Sequence, residues 1–222
     1  MYSSAQIQLT SAICSSIAIA TTLLRLYVRR RALWADDLFA LLSMLFLSTQ
    51  LGVLLAAEAI PSALTRSYLV MSTFYATIWC ARLGILFTII RIGSGTQRRR
   101  VLAVLASMFV VLFSVLVGQL FWVCESQQRR ATRPNSNIPC TPNKQIAFTQ
   151  LGSDIFADLT LLLSSLQLFL IIQDKALRIR LICIFATCTA TTIVSFVHAA
   201  FILTSEGTKI VIAALVEVHP FI

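Results

Sequence analysis

Residues 101–123 read VLAVLASMFVVLFSVLVGQLFWV, a run of twenty-three positions without a charged side chain. A helix rises about 1.5 Å per residue, so a run of this length reaches roughly 34 Å. That is enough to cross a hydrocarbon core of about 30 Å. Arg98, Arg99 and Arg100 stand directly in front of it. The composition around this run agrees with it. Of 222 residues, 58% are apolar or aromatic and 12% are charged, with a mean hydropathy of +0.85. A soluble domain carries about twice that share of charge. A disordered chain, a collagen-like chain and an ordinary cytosolic enzyme are excluded, and a bilayer protein is expected.

Working outward, the same pattern repeats. Apolar spans are predicted at about 6–28, 38–60, 67–90, 101–123, 146–172 and 177–204, with a seventh run over 210–222. Basic clusters and polar turns separate them, and Pro61 is expected to stop the second. The seventh run has 13 residues, about 20 Å of helix, and is expected to be an incomplete last helix of a truncated chain. No basic residue precedes the first span, so an uncleaved anchor is expected there, not a secretory signal. The predicted fold class is all-α: a single polytopic transmembrane domain over residues 1–222, a seven-span receptor-like bundle.

The net charge of +9 would suggest nucleic acid in a soluble protein. Here the cations lie in short clusters between spans, so no nucleic-acid partner is expected and the bilayer itself is the partner. Loops 1, 3 and 5 with their flanks hold eleven Lys and Arg, including Arg29, Arg30, Arg31, Arg98, Arg99 and Arg100. The N-terminus and loops 2, 4 and 6 hold six. The side richer in Lys and Arg is cytoplasmic, which places the N-terminus outside, with the plasma membrane as the expected compartment. Asp36 and Asp37 open the second span. Acidic groups there complement the helix dipole and can pair with the arginines across loop 1.

Four of the six cysteines lie inside spans, where a thiol acts as a small apolar residue. Cys124 and Cys140 bracket the long polar stretch 124–145. On the outer side that pair could form a disulfide and pin the loop as a lid; the alternative is two free thiols at a membrane boundary. No pair has zinc-site spacing with histidines, so no metal is expected.

Ionisable groups at membrane depth are costly and mark candidate sites. Tyr75, Trp79 and Arg82 share one helical face, as do Gln150, Asp154 and Asp158, and Thr191, Ser195 and His198. Glu217 lies within the seventh run. Helix rise puts Asp154, His198 and Glu217 at about 10–12 Å below the outer surface, with Arg82 and Asp158 deeper. One reading is a polar pocket for a small-molecule ligand, contacted by Arg82, Asp154, Asp158, His198 and Glu217, with Arg82 and Asp158 as an ion pair between spans three and five. The other is that these groups pair among themselves, fix helix register and bind nothing.

Enzyme readings find little support. A retinal Schiff base needs a lysine deep in the last helix, whereas Lys209 stands at its entrance. A seven-span zinc hydrolase needs more than His198 and His219. Asp154 and Asp158 lie on one helix, unlike an aspartic dyad drawn from two. No Gly-x-Ser-x-Gly or Walker motif occurs. No catalytic residue and no cofactor are expected. A proton-coupled transporter remains an alternative, although no repeat or pair of broken spans is present.

The segment RLYVRRRALWADD, residues 25–37, resembles the first cytoplasmic loop of the fungal rhodopsin-domain integral membrane family. RLGILFTIIR at 82–91 is similar to the end of that family's third span, and FWVC at 121–124 with Cys140 to its two-cysteine outer loop. DIFAD at 154–158, SFVHAA at 195–200 and AALVE at 213–217 are similar to its later motifs. The resemblance implies a seven-span receptor-like sensor without demonstrated retinal chemistry. It also implies a cytoplasmic signalling partner facing loops 1, 3 and 5, of the G-protein class by the family's usual description.

Overall fold

The structure, a computed structural model, describes residues 4–31, 33–56, 63–92, 95–130 and 144–171, with isolated positions at 179, 182, 186, 189 and 193. Five helices follow one another: α1 (Ser4–Arg29), α2 (Ala35–Leu55), α3 (Ala63–Ile92), α4 (Thr96–Arg130) and α5 (Lys144–Ile171). No strand occurs among the described residues. Three of the helices are long and apolar enough to cross a membrane, over Ala35–Leu55, Leu64–Arg91 and Thr96–Gln127. The architecture is all-helical and membrane-spanning. It has five helices among the described residues instead of the expected seven spans. Of the sixth span, 177–204, the five isolated positions 179, 182, 186, 189 and 193 are described, each of them helical; the seventh, 210–222, lies outside the described residues.

Most helices overrun the expected spans. The predicted start of the fourth span is Val101, yet α4 begins at Thr96 and continues to Arg130. Hydropathy marks only where side chains are apolar, whereas backbone i→i−4 bonding continues through polar flanks. The second span shows the opposite error. α2 stops at Leu55, short of the expected Ile60, and the Ala56 N–H closes the end on the Gly52 carbonyl at 2.8 Å. Ala56, Ala57 and Ala59 carry the apolar run past the helix end, so hydropathy could not mark the boundary.

α3 is the central helix. Of its most apolar stretch 72% is buried, against 22% for α2 and for α4. Neighbours pack on it from three sides. α2 runs antiparallel, with Ser43 Oγ donating to the Thr77 carbonyl at 3.2 Å and Phe39 stacked on Phe87 at 5.1 Å. Gly84 lets the two backbones approach; a Cβ there would lie 3.6 Å from the Asp36 carbonyl oxygen. α4 is antiparallel on another side, through Trp79 against Phe109 at 5.7 Å and Tyr68 against Phe121 at 5.3 Å. α5 runs parallel to α3, and Tyr75 and Arg82 meet Gln150 and Asp154 in the same order.

The distribution of side chains is the reverse of a water-soluble bundle. Leu24, Leu45, Val111 and Leu163 face outward, while Asp36, Gln50, Thr77, Arg82, Gln150, Asp154 and Asp158 are buried. Lipid is as apolar as leucine, so polar groups gain most by turning inward to one another. The ends of α1, α3 and α5 and the starts of α2 and α4 share one end of the bundle. There Arg98 at the start of α4 donates to the Ser164 carbonyl near the end of α5 at 3.0 Å. This is the basic end of the bundle.

Candidate functional site

Two buried ion clusters organise the bundle. The first sits in its middle, between α3 and α5. Residues three and four apart share a helical face, which brings Tyr75, Trp79 and Arg82 of α3 toward Gln150, Asp154 and Asp158 of α5. The Arg82 side chain has no solvent exposure. Its Nη1 reaches Asp154 Oδ1 at 2.5 Å and its Nη2 reaches Asp158 Oδ1 at 3.1 Å. Asp154 and Asp158 are one turn apart, close enough for a single guanidinium fork to span both. The Trp79 ring covers the guanidinium carbon at 5.3 Å. The Tyr75 hydroxyl donates to Gln150 Oε1 at 3.1 Å and extends the polar seam by one layer.

The expected pair of Arg82 with Asp158 is therefore present, and Asp154 joins it as a second carboxylate. His198 and Glu217 were expected beside them; both lie outside the described residues. The arrangement holds α3 and α5 in register by charge. Dismantling it exposes charge to an apolar interior, which is expensive.

The second cluster lies at the basic end. Asp36 and Asp37 belong to the first turn of α2 and are 0% and 1% exposed. Arg29 reaches Asp36 at 2.6 Å and Asp37 at 3.1 Å, and Arg25 reaches them at 3.0 and 3.3 Å. Both arginines project from one face of α1, one turn apart. Asp37 Oδ2 also accepts the Trp34 N–H at 3.3 Å, the backward half of a capping box. Burial works against the Arg29 charge, but the hydrogen bonds it donates to Asp36 and Asp37, with the attraction of their charges, outweigh it and raise its pKa. The pairing of these carboxylates with loop-1 arginines was expected. The sequence reading missed Arg91 from the end of α3, which lies 3.6 Å from Asp36 Oδ1 and 5.9 Å from the centre of the Trp34 ring. Thr88 Oγ1 adds a contact to Asp36 at 3.4 Å. Asp36 thus ties α1, α2 and α3 together. Arg30 and Arg31 do not take part: both are exposed, and Arg30 lies over the Tyr27 ring at 5.1 Å.

A cleft of about 370 Å³ opens beside the second cluster, between α1, α2 and α3. Arg25 and Arg29 stand at one end, and small or apolar side chains such as Ala18, Met44 and Leu47 line the rest. Nothing in the sequence signals it, because its walls are made of ordinary membrane-helix residues.

At the other end of the bundle, Cys124 is 1% exposed and disulfide-bonded. Cys140, its expected partner, lies outside the described residues. No group of three or more His, Cys, Asp or Glu suited to a metal occurs among the described residues.

A family model described as the fungal rhodopsin domain matches residues 20–214. The matched stretch contains both ion clusters, the cleft-lining arginines and His198; Glu217 falls just past its end. No curated protein and no solved structure matches the chain.

Proposed function

The chain belongs to the fungal rhodopsin domain family, and from that premise we propose that it is a receptor-like membrane sensor whose switch is the buried Arg82–Asp154–Asp158 cluster. The observation that carries the reading is a charged lock placed in mid-bundle, where a hydrophobic contact would pack as well at lower desolvation cost. A buried charge cluster has few alternative arrangements, so it suits a two-state element. A small-molecule ligand entering from the outer side contacts Asp154 and Asp158, together with His198 and Glu217. By competing for Arg82 it shifts α5 against α3. The N-terminus lies outside at the plasma membrane. Loops 1, 3 and 5 then face a cytoplasmic signalling partner, a G protein being the class the architecture suits. The role involves no catalysis, no cofactor and no retinal Schiff base.

Spin labels at Val101 and Leu166, outward-facing on α4 and α5 near the basic end, report the proposed motion in the reconstituted full chain. Asp158→Asn loosens the lock and is expected to add a second inter-label distance to the wild-type one. A single unchanged distance with a lowered melting temperature assigns the cluster to stability alone and overturns the proposal. Proton-driven substrate uptake into proteoliposomes, lost in the same variant, overturns it in favour of a transporter.

The lid over the outer mouth rests on a Cys124–Cys140 bond. Cys124→Ser and Cys140→Ser are each expected to lower stability by roughly 3 kcal/mol, and the double variant by no more than either. Thermal unfolding of the three variants checks this, and additive losses rule the pairing out.

A further inference from the structure

We propose that the cleft between α1, α2 and α3 binds one anionic phospholipid, its phosphate held by Arg25 and Arg29 and one acyl chain lying along Ala18, Met44 and Leu47. Charge is the first argument. Among the described residues, three guanidinium groups (Arg25, Arg29 and Arg91) face two carboxylates at the basic end, so the cluster keeps a net positive charge. Two of the three cations line the cleft: the Arg25 side chain is 41% exposed and that of Arg29 29%, whereas the carboxylates they bind are sealed at 0% and 1%. Both arginines therefore keep accessible cationic surface while lining the cleft.

Shape is the second argument. From Arg25 to Ala18 is seven residues, about 10 Å along the helix. Over that depth the lining includes the hydroxyls of Thr22 and Ser43 and the alkyl groups of Ala18, Met44 and Leu47. An inorganic anion would satisfy the arginines and leave the apolar depth unused. A molecule with an anionic head and a hydrocarbon tail uses the whole length. A zwitterionic lipid has no net charge and loses the charge complementarity. The level is also suitable, because loop 1 marks the membrane boundary where phosphates lie.

The full chain, purified in neutral detergent, is titrated separately with phosphatidylserine, phosphatidylcholine and sodium phosphate, with bound species read by native mass spectrometry. Phosphatidylserine is expected to bind at least about tenfold more tightly than phosphatidylcholine. Arg25→Gln is expected to remove about that tenfold preference. Ala81→Phe fills the apolar wall without touching the ion cluster and is expected to abolish retention of the lipid while its melting temperature stays within a few degrees of wild type. Equal affinity for the two lipids overturns the proposal. So does wild-type phosphatidylserine binding in a folded Ala81→Phe protein. Displacement of phosphatidylserine by millimolar sodium phosphate also overturns it, and assigns the arginines to a soluble anion.

Discussion

Arg82→Met is expected to destabilise the protein by about 3–5 kcal/mol, the largest loss from any single substitution among the described residues. The side chain is 0% exposed and serves both Asp154 and Asp158, themselves 3% and 1% exposed. Met fills a similar volume, so packing changes little. The loss comes from two carboxylates left without that guanidinium in an apolar interior, where the cost of desolvating charge is not recovered. The triple variant Arg82→Met, Asp154→Asn, Asp158→Asn separates this account from a packing account. Removing the whole charge set is expected to recover most of the loss, because neutral groups carry a far smaller desolvation penalty. Thermal unfolding of both proteins in one detergent checks it. A triple variant as unstable as Arg82→Met shows that the arginine acts through packing against Trp79 and not through charge.

The next largest effect is expected at Asp36. Asp36→Ala removes the acceptor shared by Arg25, Arg29 and Arg91. Charge-assisted hydrogen bonds contribute about 1.5–3 kcal/mol, and the partial exposure of the arginines holds the expected loss to that range instead of the sum of three pairs. Asp37→Ala is a sharper comparison than wild type. Asp37 binds Arg25, Arg29 and the Trp34 N–H, all of them on or between α1 and α2. Asp36 alone reaches α3, through Arg91 and Thr88. Both variants are expected to speed amide exchange at the start of α2, whereas only Asp36→Ala is expected to speed it over the last two turns of α3. Equal exchange there in the two variants shows that Arg91 does not anchor the end of α3.

Each cluster was legible to a different degree. Arg82 and Asp158 could be matched from the sequence because both sit at membrane depth on polar faces with helical spacing, and unlike charges at one depth seek each other. That Asp154 shares the same guanidinium depends on how far α5 is translated along α3, which spacing within one helix does not encode. Arg25 and Arg29 lie close in sequence to Asp36, so the turn alone brings them together. Arg91 is 55 positions from Asp36 and arrives only because α2 and α3 run antiparallel. The cleft left no trace in the sequence, since it is the space remaining among three helices and not a property of any one.

The sequence by itself determined that this is a helical membrane protein, which end of each apolar run is basic, and which polar residues share a face. Those features are local: the bilayer demands about 20 apolar residues per crossing, and the α-helix repeats every 3.6. The tertiary structure alone decided which faces meet. It made α3 the central helix, divided one guanidinium between two carboxylates, brought Arg91 to Asp36 and left a cleft under Arg25. These outcomes depend on the relative shift and rotation of whole helices. The packing of all the helices together sets that shift and rotation, and no single stretch of sequence contains it.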